Sequence, residues 1–82
     1  MVMKATRDVV EKLIEQLRRE LPPLWDRKNT TKLTGGAVHH RHLANLMSLG
    51  QGPGGAIHIG RNKVVIARDP FLEWLRSRML AA

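Results

Sequence analysis

Apolar side chains recur at helical intervals near the start of the chain: Val9, Val10, Leu13, Ile14, Leu17 and Leu21. That spacing gathers them into one stripe of a helix over residues 5–20. Thr6 is placed to cap it and Asp8 to lie in its first turn. Arg18 and Arg19 fall near its end, so both charge signs suit the helix dipole. Pro22-Pro23 ends the helix, because neither ring nitrogen can donate the next hydrogen bond. The stripe can pack on the rest of the chain or form a dimer interface. Packing is the preferred reading, since a small domain needs the area.

The pattern then changes every few residues. Leu24 and Trp25 are apolar anchors, and Asp26 is a plausible N-cap for a short helix over residues 27–33. Asn29, Thr30 and Thr31 are poor helix formers, so tertiary contacts must hold that helix, with Leu33 the expected core contact. Gly35-Gly36 allow a tight turn. A helix over residues 38–49 then turns Leu43, Leu46 and Met47 inward, with Val38 or Leu49 at its ends. His39, His40, Arg41, Ala44, Asn45 and Ser48 are left outward. Gly50 is its natural stop, and Pro53 forbids continuation. Ile57–Ile59 and Val64–Ile66 flank Gly60-Arg61-Asn62-Lys63, which predicts a β-hairpin with Arg61 and Lys63 at its tip. Asp69-Pro70 is a helix start, and Phe71, Leu72, Trp74, Leu75 and Met79 form the apolar face of the last helix. The predicted class is α+β, mainly helical.

Eighty-two residues suit one domain, read as residues 1–82 with a helical 1–22 and a mixed 24–80. The absence of Cys excludes disulfides and thiolate metal sites and fits a reducing compartment. The apolar runs are too short to span a membrane, and Asp8 precedes any apolar region, which reads against a secretory leader.

The net charge of +7 matters mainly through its placement. Residues 1–26 carry five basic and five acidic side chains, and residues 69–82 carry two of each. The 42 residues between hold Arg27, Lys28, Lys32, Arg41, Arg61, Lys63 and Arg68 and no acid. Such a segment repels itself, and a polyanion relieves the repulsion. The bland alternative is a solvated face that keeps the protein soluble.

Helix, Gly-Gly turn, helix, hairpin, helix is the order of a winged helix-turn-helix with an added N-terminal helix. In that reading the helix over 38–49 enters the DNA major groove. Arg41 can bind guanine and Asn45 adenine, while His39 and His40 meet a base or a phosphate. Lys28 and Lys32 are candidate phosphate contacts, and Arg61 and Lys63 place the hairpin on the backbone or in the minor groove. His39, His40 and His42 invite a metal reading, but no Cys and no nearby carboxylate completes a ligand set. His58 reads as a surface or phosphate contact. Gly50–Gly55 is glycine-rich but follows a helix and precedes a strand, the wrong context for a phosphate loop. No catalytic set, cofactor site or small-molecule substrate is suggested. Exposed aromatics for stacking on RNA bases are missing, since Phe71 and both Trp read as core.

Leu24–Arg78 resembles the excisionase and AlpA-like group of the MerR-like superfamily. The carrying residues are Lys32-Leu33-Thr34-Gly35-Gly36, His40-Arg41-His42-Leu43-Ala44-Asn45, Leu49-Gly50-Gln51-Gly52-Pro53, His58-Ile59-Gly60-Arg61-Asn62-Lys63-Val64 and Phe71-Leu72-Glu73-Trp74-Leu75. The resemblance implies sequence-specific binding of double-stranded DNA without enzymatic activity, in the cytoplasm at the nucleoid. It implies either transcriptional regulation or DNA bending beside an integrase, with an integrase or a second copy as protein partner. It also puts His39, His40 and Arg41 at the start of the recognition helix and Arg61 and Lys63 on the wing. The family usually has a Ser/Thr-rich start there. The histidines add an expectation that affinity rises as pH falls through the ordinary histidine range. The alternative function is a protein-interaction module that works through the N-terminal helix.

Overall fold

A computed structural model describes the backbone of residues 2–81 and the side chains of residues 7–79. Helix α1 runs Val2–Glu20, strand β1 Leu24–Asp26, a 3-10 turn Arg27–Asn29 and helix α2 Thr30–Leu33. Helix α3 follows at His40–Ser48, strands β2 and β3 at Ile57–Ile59 and Lys63–Ala67, and helix α4 at Arg68–Ala81. The chain is thus α+β and mainly helical, with four helices and one antiparallel sheet in the order β1-β3-β2 among the described residues.

Helix α1 starts earlier than the residue pattern predicts. Thr6 therefore lies inside it rather than at its cap, and Asp8 falls beyond its first turn. Val10, Ile14 and Leu21 are buried and Leu17 is half-buried, whereas Val9 (51% exposed) and Leu13 (42%) stay outside the core. The adjacent apolar pairs Val9-Val10 and Leu13-Ile14 make a stripe wider than one neighbouring helix covers. That neighbour is α4, which supplies Phe71, Leu72 and Leu75. Ion pairs Arg18–Asp69 at 3.0 Å and Glu11–Arg76 at 3.2 Å fix the two helices as antiparallel. Asp69 is not the N-cap of α4. The helix begins one residue earlier, so Asp69 sits in its first turn, a favoured place for an acid, and takes Arg18 and Arg68.

The middle of the chain gains a strand that was not expected. β1 pairs with β3 through Leu24↔Ala67, Trp25↔Ile66 and Asp26↔Val65, so the expected hairpin becomes three strands. Trp25, Val64 and Ile66 share the face that packs on the core, with Trp25 edge-on to Phe71 at 5.1 Å. Lys63 lies in β3 opposite Ile59 rather than at the tip, where Gly60, Arg61 and Asn62 make the turn.

Segment 27–33 is a 3-10 turn followed by a single α-helical turn, not one helix. Its core contact is not Leu33, which is 37% exposed. Thr30 is fully buried there instead, accepting a hydrogen bond from Trp25 Nε1–H at 2.9 Å. A buried indole N–H needs an acceptor, and the hydroxyl supplies one that leucine could not.

Candidate nucleic-acid interface

Helix α3 and the turn before it are built from paired polar and glycine signals. At the end of α2, Gly36 N–H donates to Thr31 O at 2.7 Å and Gly35 N–H to Lys32 O at 3.2 Å. At the end of α3, Gln51 N–H donates to Leu46 O at 2.8 Å and Gly50 N–H to Met47 O at 3.1 Å. Both ends are Schellman motifs, and in each the residue that must take positive φ is a glycine, Gly35 at 62° and Gly50 at 74°. The same local device thus stops both helices and redirects the chain.

Three threonines hold the start of α3. Thr34 Oγ1–H donates to Thr30 O at 2.8 Å, and the same oxygen accepts from Val38 N–H at 3.1 Å. Thr31 Oγ1 accepts from His40 N–H at 2.8 Å and lies 3.0 Å from His40 Nδ1. His39 is outside the helix as its N-cap, with Nδ1 accepting from Arg41 N–H at 3.2 Å. The expected helix over 38–49 therefore begins at His40, and Val38 is buried as part of the turn. At the far end, Leu49 is exposed, and Trp74 Nε1–H donates to Gln51 O at 2.8 Å, tying α4 to the end of α3.

The sequence-derived candidates do not all come together. His39, His40, Arg41 and Lys28 lie around the start of α3, with Arg27 beside them. Partial burial first, and then the positive charge of His39, Arg41, Arg27 and Lys28, holds the His40 imidazole below its ordinary value. His39 and His40 stack at 4.6 Å. Arg41 and Asn45 are exposed on α3 and Lys32 is exposed on α2, whereas Ala44, expected outward, is half-buried. Arg61 stands exposed in the hairpin turn. Lys63 belongs elsewhere: it lies 4.0 Å from Asp26, which also accepts from Lys28 N–H at 3.0 Å as the cap of the 3-10 turn. The acid at the edge of the acid-free segment thus folds back onto it and offsets one of its charges.

Arg27 is the contributor that pattern reading left out of the site. Its Nη1–H reaches Met47 Sδ at 4.0 Å, which holds the guanidinium against α3. Only its place just after the Asp26 cap signals this in the sequence. Among the described residues, no carboxylate pairs with Arg27, Lys28, Lys32, Arg41 or Arg61. No group of three or more His, Asp or Glu converges as a metal site among them, and none of their helices is long and apolar enough to cross a membrane. No protein-family model, curated protein or solved structure matches the chain.

Proposed function

We propose that the protein binds double-stranded DNA as a non-catalytic, winged helix-turn-helix regulator or excisionase-like factor of the nucleoid. The observation that carries this reading is the set of cations on the 3-10 turn, α2, α3 and the hairpin turn. They have no carboxylate partner among the described residues and no acid among residues 27–68, whereas the flanking helices balance their cations with acids and pair Arg18, Arg19 and Arg76. Unpaired cations on a firmly held helix are what a phosphate backbone neutralises. In this reading α3 is the recognition helix, with Arg41 and Asn45 toward base edges. Lys28 and Lys32 meet phosphates, and the β2–β3 hairpin is the wing, led by Arg61. Lys63 serves it less, because Asp26 already faces its ammonium.

Fluorescence anisotropy with a short random-sequence duplex over a salt series tests the proposal. The expected log–log slope corresponds to roughly four to six phosphate contacts. Arg41→Ala and Arg61→Ala each weaken binding with little change in thermal midpoint. Absence of binding at low salt would sink the reading. A protein-interaction role for α1 is the second reading, favoured by the exposure of Val9 and Leu13. Replacing both with Gln leaves duplex binding unchanged if DNA is the ligand of the basic centre.

A further inference from the structure

A cleft of about 290 Å³ lies between α3 and the edge strand β2. Arg27, Ala44, Met47, Ser48 and His58 line it. His58 lies opposite Val64, on the sheet face that carries the core residues Val64 and Ile66. At the open edge of the sheet that face reaches past the core, so His58 is exposed and its ring borders the cleft instead of being packed. Across from it, Arg27 is held by Met47 Sδ through one N–H, which leaves further donors of its fork available. Ser48 Oγ–H is committed to Asn45 O at 2.8 Å, so the hydroxyl proton does not compete for a ligand. Ala44 is too short to fill the space between them. No carboxylate lines the cleft.

We infer that this cleft is a seat for a single backbone phosphodiester of the duplex, held between Arg27 and His58. The inference rests on the DNA-binding reading and says where one phosphate goes. The chemistry is that of the walls. A guanidinium presents a planar fork that matches phosphate oxygens, and an imidazole N–H supplies a donor from the other side. The geometry adds the reason for the position. If α3 and the hairpin both meet DNA, the strand that passes from one to the other crosses this cleft, and its phosphate is the group of matching charge. Arg27 thereby carries a ligand role distinct from the base-facing role of Arg41, and His58 acts from a strand, not from the cluster of histidines at the start of α3.

The two walls make different contributions, which gives the experiment its edge. Duplex affinity is measured over a salt series at one fixed pH. Arg27→Ala is expected to weaken binding and make the log–log salt slope shallower by about one, the loss of one neutralised phosphate. His58→Ala is expected to weaken binding several-fold and to change the slope less than Arg27→Ala does, because it removes a hydrogen-bond donor and not a guanidinium. The double variant should lose less than the product of the single effects, since both groups hold one phosphate. Arg27→Lys should restore the slope and only part of the affinity, the charge having returned without the fork. Thermal midpoints monitor folding. Should Arg27→Ala fail to fold, the His58 ring signals of the wild type still report: they shift on duplex addition if the seat is occupied. The seat is overturned if Arg27→Ala and His58→Ala bind like wild type while Arg41→Ala and Arg61→Ala do not, a result that leaves DNA binding standing. A wild-type protein that binds no duplex at all overturns both.

Discussion

The α1–α4 pair and the segment from Arg27 to Lys63 share one core but differ in what is added to it. The helix pair is joined by apolar area, with Val10, Ile14, Phe71, Leu72 and Leu75 in contact and ion pairs at its margins. The basic segment enters the same core through Val38 and Leu43 and adds directed hydrogen bonds: Trp25 to Thr30, His40 to Thr31, Val38 to Thr34 and Arg41 to His39. Apolar burial is non-directional and tolerates small shifts. Hydrogen bonds fix angles as well as distances. Charge divides along the same line. The helix pair carries balanced charge, part of it paired on the rim. The hydrogen-bonded segment carries cations without acids among them, held in place by oriented polar groups.

The comparison breaks most severely at Phe71. It is fully buried in the shared core, edge-on to Trp25 and 5.7 Å from Trp74. Phe71→Ala is expected to cost about 3–5 kcal/mol, a large share of the roughly 5–15 kcal/mol available to a small domain. Circular dichroism should then show a thermal midpoint far below that of the wild type, with duplex binding lost in parallel. A variant that keeps its midpoint would deny the apolar half its dominance.

Thr30 probes the polar half. Thr30→Val keeps the volume but leaves the Trp25 indole N–H buried without its acceptor, at a cost of about 1–3 kcal/mol. Chemical denaturation should show this intermediate loss, and amide exchange should rise around α2 and the following turn before it rises in α1. Uniform exchange throughout the chain would mean the two halves do not differ in kind.

The smallest effect is expected from pH. The folded protein holds the His40 proton affinity below the ordinary 6.5 of the unfolded chain, through partial burial and then the surrounding positive charge. Neutral His40 therefore favours the folded state. That contribution is whole above about pH 6.5 and fades as pH falls through 6.5 toward the lower folded value. The difference in thermal midpoint between wild type and His40→Gln should shift against the wild type on acidification. Duplex binding runs the other way, because phosphates favour the protonated ring. The part of any tightening that belongs to His40 is complete only once pH falls below the lowered value of the unbound protein. A midpoint difference independent of pH would remove His40 from this account.

Much of the architecture was legible in the chain. The stripe of α1, the Gly-Gly turn, the stop at Gly50, the hairpin and the apolar face of α4 follow from period, turn chemistry and capping, all short-range properties. The capping role of Asp26 was legible for the same reason. The three threonines of residues 30–34 were not. Intrinsic propensity ranks Thr30 and Thr31 as poor helix formers, and that is all local sequence can say of them. Their value lies in hydroxyls that meet Trp25 and His40 from other parts of the chain. Leu33 misled for the converse reason: hydrophobicity favours burial, but a single helical turn presents only one side to the core, and Thr30 holds it.

The sequence by itself determined where the helices begin and end to within a few residues, which middle segment carries the unbalanced charge, and which glycines must turn the chain. Each depends on neighbours within about five positions or on a simple count. Only the tertiary structure decided that Leu24–Asp26 is a strand, because a three-residue strand exists through its partner β3. It alone decided that Lys63 faces Asp26 and that Arg27 and His58 border one cleft. Those relations join residues far apart in the chain, and no local period or propensity encodes which distant side chains the core brings together.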